Sequence, residues 1–165
     1  MIAYLKRLFG RGRRWEPDTP REAYSLTQRI EWIVASSSPA RAIRRLTGYL
    51  GQHYWHAYLR YTLGTLHLHH GDQIEAGKLL YFKAKKTPME QRAVATFTKR
   101  YGGDPVHLLR QLLGQHPRSP RLLRTEVKQI VWRLLEAARQ QTGRVPRFMQ
   151  GWEQLLAREF AAEET

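Results

Sequence analysis

The chain holds 165 residues, room for one core of ordinary domain size, and its 28 Lys and Arg against 14 Asp and Glu leave a formal charge of +14. A hydrophobic fraction of 42% excludes a disordered polyelectrolyte, and the lack of cysteine excludes disulfides, thiolate metal sites and cysteine nucleophiles. No apolar run approaches the roughly 20 residues that cross a bilayer, so a cytoplasmic protein steered toward acidic or polyanionic partners is expected.

Residues 1–18 read as a basic arm. Lys6, Arg7, Arg11, Arg13 and Arg14 lie beside Leu5, Leu8 and Phe9 there, a composition able to bind an anionic membrane surface or nucleic acid. Residues 19–165 read as a single all-helical domain, because helix-start signals recur from end to end. Thr19-Pro20, Ser38-Pro39, Thr87-Pro88, Asp104-Pro105 and Ser119-Pro120 each pair a capping side chain with a ring that fixes φ at the first helical position. Asp72 with Glu75 and Thr87 with Glu90 add the spacing of reciprocal capping. Gly71 and Gly102-Gly103 suit left-handed helix ends. The helices predicted are 20–36, 39–50, 54–70, 73–86, 88–101, 105–115, 120–142 and 146–162. Their short links predict antiparallel hairpins laid side by side.

Leu63-Gly64, Gly71-Asp72, Ala76, Leu80 and Pro88 fall at the spacings of a Leu-Gly pair, a turn glycine, a small packing residue, a bulky residue and a closing proline. On those residues the segment resembles a tetratricopeptide repeat. Gly64 and Ala76 would let two helices approach, while Leu63 and Leu80 fill the contact. A weaker copy upstream places Ala42 and Leu46 in register with Ala76 and Leu80, 34 residues earlier. The resemblance implies stacked antiparallel hairpins at 20–50 and 54–87, closed by capping helices over 88–162. The stretch from Gly71-Asp72 through Ala76-Gly77 and Phe97 to Gly102-Gly103-Asp104-Pro105 is also similar to small bacterial proteins with one or two such hairpins.

Among residues able to carry chemistry, histidines come first: His67, His69 and His70 cluster near one helix end, and His53 and His56 lie three apart. A pair lacks the third ligand and the second shell that a metal centre needs, so packing and capping account for them better. No serine or threonine with a base, no paired carboxylate and no phosphate loop stands out, so neither catalysis nor a metal or cofactor is expected.

Two binding surfaces are expected instead. The resemblance places Tyr58, Tyr61, Thr65, Leu68 and His69, with Tyr24 and Thr27 from the upstream copy, on the inner face of the hairpins. Rings with polar ends in such a row suit a peptide groove, unless the C-terminal helices fill it. On the helix after Ser119, Leu123, Val127, Ile130, Leu134 and Ala138 form an apolar stripe, and Arg121, Arg124, Lys128, Arg139 and Trp132 gather opposite them. That cationic face suits an acidic peptide, a phosphate backbone or a lipid headgroup, unless Trp132 packs against the last helix. The expectation is a non-catalytic interaction module for an acidic partner protein, of the kind found among bacterial immunity and accessory proteins. Nucleic-acid binding through the basic helical faces is the alternative, and contact of the arm with anionic membrane a second one.

Overall fold

The computed structural model describes residues 25–113 and 123–163. Their regular elements are all helical: α1 (Leu26–Ser36), α2 (Pro39–Leu50), α3 (Ala57–His69), α4 (Gln73–Leu80), α5 (Pro88–Tyr101), α6 (Pro105–Leu113), α7 (Thr125–Thr142) and α8 (Gln150–Glu163). A short 3-10 turn, Arg147–Met149, leads into α8. The basic arm of residues 1–18, Tyr24, Arg121, and the pairs Thr19-Pro20 and Ser119-Pro120 lie outside the described residues. No described helix is long and apolar enough to cross a membrane.

Each helix packs on the next in the chain, and α1 on α3, α3 on α5 and α4 on α6 add contacts one step further along, as a stack of antiparallel hairpins requires. The core runs the length of that stack. Ile30, Ile33, Leu46, Leu59 and Leu63 fill it at one end, and Phe97, Leu109, Leu112, Val131, Trp152 and Leu156 at the other. Ala76, Leu80 and Ala93 join the two. The closest approach is between α4 and α5, where a Cβ on Gly77 would lie 2.2 Å from the Ala93 carbonyl oxygen. Gly64 performs a similar service between α3 and α4, since its Cβ would meet Leu80 Cγ at 2.7 Å.

Local chemistry sets most helix starts where the sequence puts them. Asp72 accepts from the Glu75 N–H at 3.1 Å, Asp104 from the Val106 N–H at 2.9 Å, and Thr87 with Glu90 forms the full reciprocal box. Ser38 departs from its expected role: Pro39 opens α2, but the serine side chain makes no capping bond. Ser25 forms an unforeseen box with Gln28 and opens α1 at Leu26. The left-handed glycines are Gly71, at φ 89°, and Gly143, at φ 71°. Gly102, expected in that conformation, is right-handed at φ −76°. Space is what it supplies, because a Cβ there would fall 2.5 Å from the Thr98 carbonyl oxygen.

Besides α1, which opens at Leu26 and not at residue 20, and α8, which opens at Gln150 and not at residue 146, three more helices are shorter than their predicted spans. The segment 54–70 becomes helical only at Ala57, because His56 turns its ring back and Nδ1 accepts from the Leu59 N–H at 3.3 Å. The segment 73–86 ends at Leu80, where Tyr61 takes the Phe82 carbonyl at 3.2 Å and Lys86 takes that of Lys83. The segment 120–142 begins at Thr125.

Candidate functional site

The described part of the expected hairpin groove meets the start of α7 and is partly filled by it. Thr27, Tyr58 and Tyr61 face Leu123, Arg124 and Val127 across a cleft of about 410 Å³. Both tyrosine hydroxyls are engaged, Tyr58 donating to Glu31 at 3.3 Å and Tyr61 to the Phe82 carbonyl. Burial, and for Tyr58 the Glu31 carboxylate as well, pushes both phenols above their ordinary value, so they stay neutral donors. His56 lies on the same cleft. Burial, reinforced by His53, holds its imidazole below the ordinary value and leaves Nδ1 able to accept its capping bond.

Other expected groove residues do not line this cleft. Thr65 returns its hydroxyl to the Tyr61 carbonyl at 2.9 Å, a bond within α3. Leu68 packs on the Ala76–Leu80–Ala93 cluster, and His69 is exposed at the end of α3. His67 has Nδ1 3.4 Å from the Asp72 carboxylate.

The expected cationic face of α7 is only partly open among the described residues. Lys128 reaches Glu159 of α8 at 2.6 Å, and Trp132 stacks on Phe160 with ring centroids 5.8 Å apart. Arg139 lies 3.9 Å from Glu153. α8 therefore covers Lys128 and Trp132, while Arg139 stays exposed and Arg124, just before α7, joins the groove. The apolar stripe is rotated as well. Val131, Leu135 and Ala138 are fully buried, whereas Ile130 and Leu134 are half-buried, because α7 packs on α6 and α8 together.

A second and larger cleft, about 1010 Å³, lies where α6, the end of α7 and the start of α8 converge. Arg110, Arg139, Arg144 and Arg147 line it together with one acid, Glu153, over an apolar surface of Val106, Val145 and Phe148. Gly143 turns the chain out of α7, and Thr142 fixes the turn by donating to both the Ala138 and Arg144 carbonyls at 2.8 Å. Arg110 sits over the Phe148 ring, 5.5 Å from its centroid. All four guanidiniums belong to exposed residues, and the Glu153 carboxylate is already beside Arg139. Four guanidiniums with one carboxylate beside an apolar surface make the local field positive, the chemistry that attracts an anion carrying an apolar neighbour. The one local signal was the Arg144-Val145-Pro146-Arg147-Phe148 run, and Arg110 arrives from a different helix. Among the described residues no three His, Asp or Glu side chains are grouped so as to hold a metal ion.

A family model described as a family of unknown function matches residues 24–156, most of the chain and nearly all of the described helices. The chain belongs to the DUF6584 family. The match spans both clefts of this DUF6584 chain, from Thr27 to Glu153. No curated protein and no solved structure matches it.

Proposed function

We propose that this chain is a non-catalytic protein–protein interaction module that docks an acidic partner protein over the arginine cleft between α6, α7 and α8. The observation that carries the reading is the meeting of four arginines with a single acid around an apolar surface. Carboxylates of a partner pair with the guanidiniums at the rim while an apolar side chain covers Phe148 and Val145, the usual division between polar rim and apolar centre. The overall charge of +14 steers the encounter. Tight helix–helix approach at Gly64 and Gly77 supplies the rigid stack that a tetratricopeptide-like scaffold uses to present such a surface. A cytoplasmic bacterial immunity or accessory role, in which one cognate partner is blocked, belongs to this reading.

The test is direct binding of a 20-residue glutamate-rich peptide containing scattered leucines, compared with 20-base-pair DNA, a 20-nucleotide RNA and phosphatidylglycerol vesicles across a salt series. The peptide should bind saturably near physiological salt, and the pair R144E and R147E should weaken it at least tenfold. Nucleic acid bound more tightly than the peptide, with a steep salt slope reduced by the same two reversals, would overturn the reading in favour of the nucleic-acid alternative. Vesicle binding insensitive to the reversals would move the charge-dependent surface elsewhere.

A further inference from the structure

The smaller cleft contains an electrostatic imbalance that the docking role does not use. Arg60 is only 3% exposed, yet no carboxylate pairs with it among the described residues. Its Nη2 donates to the Lys78 carbonyl at 3.2 Å, and the guanidinium is surrounded by the rings of Tyr54, Trp55 and Phe82, 4.8, 5.5 and 5.2 Å from their centroids. The Tyr54 side chain also hydrogen-bonds the guanidinium, and the aromatic faces compensate part of the charge without accepting a conventional hydrogen bond. Arg60 Nε and Nη1 are left without a partner, and so is Trp55 Nε1. These donors are closed off from bulk water, so their unmade bonds weigh against the fold. Both residues line the 410 Å³ cleft, with Arg124 across from them.

We propose that this cleft is a binding site for a monocarboxylate with an apolar body, its carboxylate accepting from Arg60 and Trp55 and its body lying against Tyr58, Tyr61 and Val127. Unpaired N–H donors from two side chains call for an oxygen that only accepts, and one buried cation calls for one negative charge. A phosphate dianion fits this aromatic lining less well, because desolvation cost rises with the square of the charge and the second guanidinium on the cleft, Arg124, is exposed to solvent. The volume is that of a small-molecule site. A free organic acid and a glutamate flanked by an apolar residue in a peptide present the same chemistry. This second cleft shares no lining residue with the arginine cleft, so the two proposals stand or fall separately.

The test follows the indole N–H signals of Trp55 and Trp152 by NMR in the full chain during titration with 3-phenylpropionate, its neutral amide, inorganic phosphate, and the capped peptide acetyl-Gly-Glu-Phe-Gly-amide. The Trp55 signal should move saturably with 3-phenylpropionate or the capped peptide, whichever is the natural source, and not with the amide. Arg60→Met should weaken that response at least tenfold, while R144E with R147E leaves it unchanged. Trp55→Phe, a milder change, should weaken binding read on Trp152 or by calorimetry. No saturable shift with either carboxylate would mean that the donors hold buried water only and would overturn the site. So would an equal response to the amide or to phosphate, or binding that survives in folded Arg60→Met.

Discussion

Gly77 rests on the Ala93 carbonyl so closely that even a methyl group would lie 2.2 Å from its oxygen and 2.7 Å from Phe97 Cβ. The obstacle is backbone, which cannot rotate aside as a side chain can. Gly77→Ala should therefore force α4 and α5 apart and lower stability by about 2–3 kcal/mol, despite alanine's better helix propensity. At Gly64 the first obstruction is the Leu80 side chain, so Gly64→Ala should cost less. Urea unfolding of the two variants side by side checks the order; a reversed order would place the tightest contact between α3 and α4.

Glu90 ties the Lys83 ammonium, at 2.6 Å, to the start of α5, where its other oxygen accepts from the Thr87 N–H at 2.8 Å. Burial alone would raise its pKa, but the bonds from Lys83 and Thr87 outweigh that and hold it below the ordinary value of 4.5. A depressed carboxylate pKa gives stability that is complete above the unfolded-state value and lost as pH falls through the folded-state value. Glu90→Gln should cost roughly 1–3 kcal/mol at neutral pH and flatten the acid limb of the stability curve. Melts from pH 7 down to 3 measure both effects, and an unchanged acid limb would assign the pH dependence to other carboxylates.

Much of the scaffold was legible because its determinants are local. Asp72, Thr87 and Asp104 announce helix starts within four residues of themselves, and the Gly71 turn needs no distant partner. The end of α4 was not legible, because the Phe82 carbonyl that would have continued the helix is claimed by Tyr61, 21 residues away in sequence. The face of α7 misled for a related reason. Periodicity identifies a side of a helix but not how many neighbours it has, and the basic side of this one is matched by Glu159 and Phe160 of α8. The groove reading kept Thr27, Tyr58 and Tyr61 and missed Arg60, whose charge argues against a buried position in the absence of the rings that surround it. The arginine cleft needed Arg110 beside Arg144 and Arg147, a juxtaposition that only the tertiary fold makes.

His56 opens α3 by accepting from the Leu59 N–H, a role it can fill only while Nδ1 is unprotonated. Burial first, and His53 second, keep its pKa below the ordinary 6.5. The cap's stability is thus present above the unfolded-state pKa and lost as pH falls through the folded-state one, a window just below neutrality. His56→Asn supplies a cap that does not titrate. It should retain neutral-pH stability and lose less on acidification to pH 5, which thermal melts at the two pH values would register. A loss as large as that of the parent chain would mean that another group titrates there.

Arg60 bonds the Lys78 carbonyl and the Tyr54 side chain while Nε and Nη1 go unmatched, so for folding alone its charge is a burden. Burial pushes its guanidinium below the ordinary value without discharging it, since arginine stays protonated in proteins. Methionine matches the arginine stem out to Nε, offers a flexible thioether to the rings of Tyr54, Trp55 and Phe82, and brings no charge to desolvate. Replacing buried ionic groups by apolar residues of like volume is often neutral or stabilising. Arg60→Met should leave the free chain unchanged or more stable, by up to roughly 2 kcal/mol, whereas Arg60→Ala should lose about 2–4 kcal/mol to the cavity it opens. Denaturant unfolding without added carboxylate separates the two roles: a substantial loss in Arg60→Met would show that the cation itself holds the rings together, and a gain would show a residue whose charge serves a ligand at the expense of the fold.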